Sequence, residues 1–282
     1  MTLPPISLIR DIVDRALGED LPDITADAIF GPEERGSAFF LVKEDGILAG
    51  LPFAEAVFEM LDEGARFRAL VEDGSAVKQG DRVAEVEASV RALLSGERTA
   101  LNLVQRASGI ASATRRFVDA VAGTRAVILD TRKTAPGLRA LDKYAVAAGG
   151  GTNHRHGLYD MFLVKNNHID RAGSIEAVVR RIRETRRPQK LMIEVRDLRE
   201  LDEALAESPD FILLDNMDLE TMREAVRRSG GRVPLEASGG VTLESVRAIA
   251  ETGVDRISVG ALTHTVDALD ISMRIVTAGQ RS

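Results

Sequence analysis

Apolar positions in the first part of the chain change their spacing several times. Over residues 6 to 17, Ile6, Ile9, Ile12, Val13 and Leu17 follow the three- and four-residue spacing of one helical face, and Gly18 is a natural stop. From Gly36 to Gly50, two apolar segments flank Glu44-Asp45-Gly46, the pattern of a hairpin, and Ala54 to Leu61 returns to helical spacing. Residues 66 to 90 set short apolar strands around Val71-Glu72-Asp73-Gly74 and Val77-Lys78-Gln79-Gly80-Asp81, which predicts the turns of a small β-sandwich. Residues 91 to 122 carry the longest helical pattern; Ser108-Gly109 predicts a break or kink within it, and the segment marks the passage between domains.

Beyond residue 125 the pattern becomes repetitive. Short β-branched runs are expected as strands at Ala126 to Thr131, Met161 to Lys165, Leu191 to Val195, Phe211 to Asp215, Val233 to Ala237 and Arg256 to Val259. Amphipathic helices follow most of them, at Leu138 to Ala148, Ser174 to Thr185, Leu198 to Ala206, Leu219 to Arg228 and Leu243 to Glu251, with Ser174 and Thr242 as N-caps and Gly253 as a stop. Six βα units with no GxGxxG turn after the first strand favour a closed or nearly closed barrel over a dinucleotide-binding sheet. The expected division is an N-terminal α/β domain over residues 1–105, a barrel over 106–267, and a segment 268–282 that packs with the first domain.

The 66–90 segment also resembles part of a biotinyl or lipoyl carrier module. A carrier needs a lysine at the hairpin tip after Val83 to Glu87, where Ala88-Ser89-Val90-Arg91 stands instead, so a swinging arm is not expected.

In a barrel the carboxyl ends of the strands face the active site. Those ends carry Arg132 and Lys133, Lys165, Glu194, Asp215, Ser238-Gly239-Gly240, and Gly260-Ala261. Any one charged residue there could be a solvated loop or a helix cap, but charged or glycine-rich residues at every end argue for a site. Ser238-Gly239-Gly240 precedes a helix capped at Thr242, where backbone N–H groups and the helix dipole suit a phosphate. Glu194 and Asp215 end adjacent strands, which suits a hard cation or a pair of sugar hydroxyls. The stretch Gly149 to Leu158 combines permissive backbone with His154, Arg155 and His156. It lacks zinc-ligand spacing and suits carboxylate or phosphate recognition.

Composition narrows the partner. The 282 residues carry 37 Lys and Arg against 44 Asp and Glu, a net charge of -7, which argues against a nucleic-acid binder. Within residues 98–168 the balance reverses, 11 Lys and Arg against 4 Asp and Glu, as for a small anionic ligand. With no cysteine, disulfide scaffolds, thiolate metal sites and cysteine nucleophiles are excluded. No signal-like segment and no apolar run of membrane-spanning length is present, so a cytoplasmic protein with no membrane partner is expected.

Glu97 to Asn102, Asp130 to Thr134, Gly149 to Leu158, Lys165 to His168, Leu213 to Asn216, Glu236 to Gly240 and Val259 to His264 together resemble the quinolinate phosphoribosyltransferase family, in the family's order and over nearly the whole chain. The resemblance implies an α/β fold: an incomplete α/β barrel of about six or seven strands with an N-terminal α/β sandwich domain. It further implies a head-to-tail homodimer with shared active sites. The implied reaction joins quinolinate and phosphoribosyl pyrophosphate, with Mg²⁺, into nicotinate mononucleotide, pyrophosphate and carbon dioxide. By the resemblance, Arg132, Arg155 and Lys165 hold the quinolinate carboxylates with Arg98 of the neighbouring subunit, and Lys133 and His154 complete the cationic pocket. Glu194 and Asp215 face the ribose and the Mg²⁺, directly or through substrate or water, and with Lys133 form the catalytic set. Ser238, Gly239, Gly240, Gly260 and Ala261 cradle the 5′-phosphate. Three positions depart from relatives that usually carry charge: Ala147, Asn166 and Met192. The alternatives are a diverged paralogue of the kind associated with molybdate transport, and a phosphate- or nucleotide-binding regulator on an inactive barrel.

Overall fold

The computed structural model describes residues 2–276. By contact these divide into two compact units, one built from the chain up to Arg115 with Thr134–Gly150 and the segment from Thr265, the other from Arg116–Lys133 and Gly151–His264. In chain order the elements are α1 (Ile6–Leu17), α2 (Ile24–Ile29), β1 (Arg35–Val42), β2 (Gly46–Ile47), α3 (Leu51–Leu61), β3 (Arg66–Ala69), β4 (Ala76–Val77), β5 (Arg82–Ser89) and α4 (Val90–Ala120). Next come β6 (Val127–Leu129), α5 (Arg139–Ala148), β7 (Phe162–Val164), α6 (Asn166–Ala172), α7 (Ile175–Glu184), β8 (Leu191–Val195), α8 (Leu198–Ala206) and β9 (Phe211–Asp215). The chain continues through α9 (Leu219–Ser229), β10 (Leu235–Ser238), α10 (Leu243–Ala250), β11 (Arg256–Ser258), α11 (Ala261–His264) and β12 (Ile271–Ile275).

The first unit is a four-stranded sheet in the order β12-β1-β5-β3, antiparallel throughout. Along β1 the side chains of Ala38, Phe40 and Val42 are buried at every second position, as a strand with one covered face requires. α3 packs against β3 and β5, and α1 against α3 through the face formed by Ile9, Ile12, Val13 and Leu17. Phe40 meets Phe58 edge to face at 6.3 Å, and each fully buried phenylalanine contributes roughly 1.5–3 kcal/mol relative to exposure. The short helix α2, not read from the sequence, is started by Asp23, whose carboxylate accepts the N–H groups of Thr25 and Ala26. Of the segment 268–282, Ile271–Ile275 pairs with β1, and residues 277–282 lie outside the described residues.

Two local expectations are corrected. The run Gly36 to Gly50 is not a hairpin: β1 has β5 on one side and β12 on the other, while β2 pairs with β4 in a separate ladder. The Glu44-Asp45-Gly46 segment leads β1 into β2 without pairing the two. α4 is not broken at Ser108-Gly109 but runs unbroken for 31 residues. A Cβ on Gly109 would stand 2.1 Å from the Asp267 carbonyl oxygen, so this glycine admits a passing backbone into contact with an intact helix. Ser108 has a matching role, since its hydroxyl accepts the Ala49 N–H and donates to the Ala49 carbonyl.

The second unit holds a six-stranded parallel sheet in the order β6-β11-β10-β9-β8-β7. The alternation of β-branched runs with amphipathic helices is therefore the βα repetition expected, and α7, α8, α9 and α10 start on the side-chain caps Ser174, Asp197, Asp218 and Thr242. The ladder is open: among the described residues β6 and β7 do not pair with each other, and Thr152 forms a parallel bridge to Leu129 beside β6. Among the described residues no helix is long and apolar enough to cross a membrane.

Candidate active site

Because all six strands run the same way, their carboxyl ends gather at one edge of the sheet, and the register puts selected side chains in layers. Glu194, Leu213, Glu236 and Arg256 are consecutive partners across β8, β9, β10 and β11, and Asp215, Ser238 and Ser258 form the next level toward the strand ends. One level below, Met192 lies between Leu163 and Phe211 and packs with Met161 and with Leu213 of the layer above in one apolar cluster. Met192 is fully buried there, which gives the methionine a packing role in the floor beneath the carboxylates.

Above this floor lies a cavity of about 660 Å³. The segment after β6 delivers Thr131, Arg132 and Lys133 to it, the loop before β7 delivers His154 and Arg155, and Lys165 follows β7 as the N-cap of α6. Glu194 enters from β8, Asp215 and Asn216 from the end of β9, Ser238, Gly239 and Gly240 from the end of β10, and Gly260, Ala261 and His264 from the segment after β11. Every site residue expected in the second unit thus lines one cavity. Arg98 lies on α4 in the first unit, outside the residues that line it, and Ala147 is likewise in the first unit, on α5.

The cations are held by their backbones and by each other's surroundings. Asp130, fully buried at the end of β6, accepts the His154 N–H and the Asn153 side-chain amide at 2.7 Å each, tying the Gly149 to Leu158 stretch to the strand that carries Arg132. Arg155 donates from Nη1 to the Met161 carbonyl at 3.0 Å. Burial, followed by the positive charge of Arg132, pushes the Arg155 guanidinium below the usual arginine range, outweighing the opposite pull of Asp160. Two cations crowded in this way are relieved by an anion placed between them. Lys165 Nζ stands 3.4 Å from Glu194 Oε2, with the lysine half exposed and the carboxylate nearly buried, so an arriving carboxylate competes for an accessible ammonium.

At the other wall, Gly239 and Gly240 have φ of +100° and +59°, a turn leading to Thr242, which caps α10 through the Ser245 N–H. Asn216 also lines the cavity and was not among the expected site residues. It has φ +52°, its N–H donates to the Ser238 carbonyl at 2.9 Å, and its Nδ2 donates to Asp215 Oδ1 at 2.9 Å. An asparagine directly after a strand is the signal that marks it, since its side chain tolerates left-handed backbone. His264 lines the cavity too and was not expected; it lies four residues after Gly260, whose added Cβ would meet both His264 and the Lys133 side chain at 3.2 Å.

Among the described residues, no group of three or more His, Asp or Glu side chains is arranged to enclose a metal ion. Glu194 and Asp215 are the two carboxylates lining the cavity. That donor set fits a magnesium ion whose other ligands come from outside the protein, and does not fit an all-protein cage.

Two family models match the chain: quinolinate phosphoribosyl transferase, N-terminal domain, over residues 23–108, and quinolinate phosphoribosyl transferase, C-terminal domain, over residues 110–274. The chain is 45% identical over 272 residues to the carboxylating nicotinate-nucleotide pyrophosphorylase of Mycobacterium leprae, covering 94% of this chain and 96% of that protein. It is 42% identical over 259 residues to the probable carboxylating nicotinate-nucleotide pyrophosphorylase of Bacillus subtilis, covering 92% and 89% of the two chains. The solved structure of the nicotinate-nucleotide pyrophosphorylase from Francisella tularensis superposes with a TM-score of 0.92 at 39% identity, covering 97% of this chain and 98% of that one. With both family domains matched in sequence and relatives aligned along nearly its full length, the chain belongs to the quinolinate phosphoribosyltransferase family.

Proposed function

We propose that this chain transfers the phosphoribosyl group of phosphoribosyl pyrophosphate to quinolinate with loss of carbon dioxide, giving nicotinate mononucleotide and pyrophosphate in the synthesis of NAD. The observation that carries the reading is one cavity in which Arg132, Arg155 and Lys165 face Glu194, Asp215 and a glycine turn. Three cations match a dianionic pyridine better than a monocarboxylate, since loss of the second carboxylate leaves a desolvated cation without its partner.

In this reading Arg132, Arg155 and Lys165 hold the two carboxylates and orient the ring nitrogen toward C1′ of the ribose, with His154 beside them. The glycine turn and Gly260-Ala261 receive the 5′-phosphate, and Lys133 offsets charge on the departing pyrophosphate. The C1′–oxygen bond to pyrophosphate breaks while the ring nitrogen forms its bond to C1′, and Glu194 and Asp215 stabilise positive charge developing on the ribose. The bond from the ring to the 2-carboxylate then breaks; carbon dioxide leaves, and the ring carbon keeps the electron pair, stabilised by the adjacent quaternary nitrogen, until it takes a proton from water. Glu194 and Asp215 would also be the residues to hold Mg²⁺, which when bound would supply further positive charge at the leaving group. No enzyme nucleophile is needed. The reading includes a cytoplasmic homodimer in which Arg98 serves the neighbouring subunit's site.

A coupled assay with quinolinate, phosphoribosyl pyrophosphate and Mg²⁺, reading nicotinate mononucleotide and carbon dioxide, tests the reading. Product formation with quinolinate and little with nicotinate is expected. Equal or faster turnover of nicotinate overturns the assignment, and binding without turnover favours a regulator.

A further inference from the structure

Glu236 has no part in the mechanism above, yet it is a carboxylate with no exposed surface in the middle of a parallel strand. Its Oε2 accepts Arg256 Nε at 2.9 Å. Its Oε1 is buried without a well-aligned hydrogen bond, and lies 3.3 Å from His154 Nε2. The other ring nitrogen of His154 is already engaged, because Nδ1 accepts the Arg155 N–H at 2.7 Å. An Nδ1 that accepts cannot carry the ring hydrogen, so in the neutral imidazole that hydrogen is on Nε2, the ring nitrogen 3.3 Å from the carboxylate.

We propose that Glu236 is a positioning residue: anchored by Arg256, its carboxylate fixes the His154 ring with the hydrogen on Nε2, and through Nδ1 fixes the Arg155 backbone that brings its guanidinium into the cavity. The consequence for the reaction rests on the quinolinate reading, whereas the tautomer does not. The arrangement demands a carboxylate and not merely a polar group. Both neighbours of Glu236 are donors, and only an acid presents an acceptor to each. In Glu236→Gln the carbonyl goes to Arg256, the stronger, charge-assisted donor, and leaves an NH₂ group against His154 Nε2. His154 must then move its hydrogen to Nδ1, where it meets the Arg155 N–H, or turn away.

Histidine side-chain ¹⁵N spectra of the intact, uniformly labelled protein test this directly, with His154 assigned from the signal lost in His154→Ala. The wild type is expected to show His154 with its hydrogen on Nε2. A wild-type His154 with the hydrogen on Nδ1 overturns the proposal, whether or not any variant folds. Glu236→Gln is expected to lose the Nε2–H signature and to raise the quinolinate KM about tenfold or more, with kcat changed less, as for one misplaced binding group. Adding Arg256→Met frees the Gln carbonyl to turn to His154. The double variant is therefore expected to regain the Nε2–H signature and a quinolinate KM within about threefold of wild type. A Glu236→Gln protein with an unchanged His154 signature, or a double variant worse than the single one in both readouts, overturns the proposal. If the wild type does not turn over quinolinate, the reaction reading fails while the spectra still decide the role of Glu236.

Discussion

Replacing Gly239 with alanine separates a phosphate-binding turn from an ordinary one. An added Cβ would stand 2.1 Å from Asn216 Oδ1, 2.5 Å from its Cγ and 2.9 Å from its Nδ2, at a φ of +100°. The backbone conformation alone costs an alanine roughly 1–3 kcal/mol. Relieving the overlap requires Asn216 to swing away from Asp215 Oδ1, losing a 2.9 Å hydrogen bond of about 1 kcal/mol. The expected loss of stability is therefore about 2–4 kcal/mol, at the high end for a single substitution. A displaced turn also loses at least one hydrogen bond to a charged phosphate, about 1.5–3 kcal/mol, which raises the KM for phosphoribosyl pyrophosphate roughly ten- to a hundredfold. Gly240 provides the control, because at φ +59° it has open space where a Cβ would go. Gly240→Ala is expected to cost about 1–2 kcal/mol of stability and to change that KM by no more than about threefold. The assay is initial-rate kinetics with phosphoribosyl pyrophosphate varied at saturating quinolinate, beside calorimetric binding and thermal unfolding of both variants. A Gly239→Ala protein that is less stable but keeps its affinity for phosphoribosyl pyrophosphate would refute the assignment of the phosphate to this turn.

Glu194→Gln and Asp215→Asn keep size while removing charge, and each is expected to slow turnover about a hundredfold, a loss of roughly 3 kcal/mol, with little change in quinolinate binding by calorimetry. Near-normal turnover in both would remove these carboxylates from the ribose and Mg²⁺ side. Arg98→Ala and Lys165→Ala proteins are each expected to be nearly inactive, with activity returning on mixing as subunits exchange; exchange without recovery would show that Arg98 does not serve a neighbouring site. Burial raises the Glu236 carboxyl, but His154 and Arg256 together outweigh it and hold the group below its ordinary value of 4.5. Its contribution to stability is thus fully present above that value and lost as the pH falls through the lower folded one, so acid unfolding of Glu236→Gln should show a shallower loss there than wild type. Parallel curves would contradict this.

The second sheet was readable because its signals are local. β-branched runs, capping Ser174 and Thr242, and charged or glycine-rich strand ends all occur within a few residues of what they specify. Expectations failed where the cause lies far along the chain. Gly109 reads as a helix breaker, yet the reason for it is the backbone at Asp267. The Glu44-Asp45-Gly46 turn reads as a hairpin, yet β1 is claimed by β5 and by β12. β12 itself was not read as a strand, because five residues near the end of the described chain carry no hint of a partner more than two hundred positions earlier. In the site, the residues expected from their charge line one cavity, whereas Asp130 and Glu236, which meet His154 from its backbone and its ring, were not among those expected. A glutamate inside the buried run Leu235–Ser238 was the available signal, since an acid in a covered strand requires a partner.

The pairing of β12 with β1 also bears on how the chain is made. Ala38 meets Ile275, with the entire second sheet between them in sequence. During synthesis β1, β5 and β3 leave the ribosome long before β12, and at about 5–20 residues per second the wait is on the order of 10–50 s. Through that interval one edge of β1 presents unpaired N–H and C=O groups, a template for the same strand of another nascent chain. Polysomes crowd such edges together, so the newborn protein is most exposed to aggregation after its first three sheet strands emerge and before its last one does.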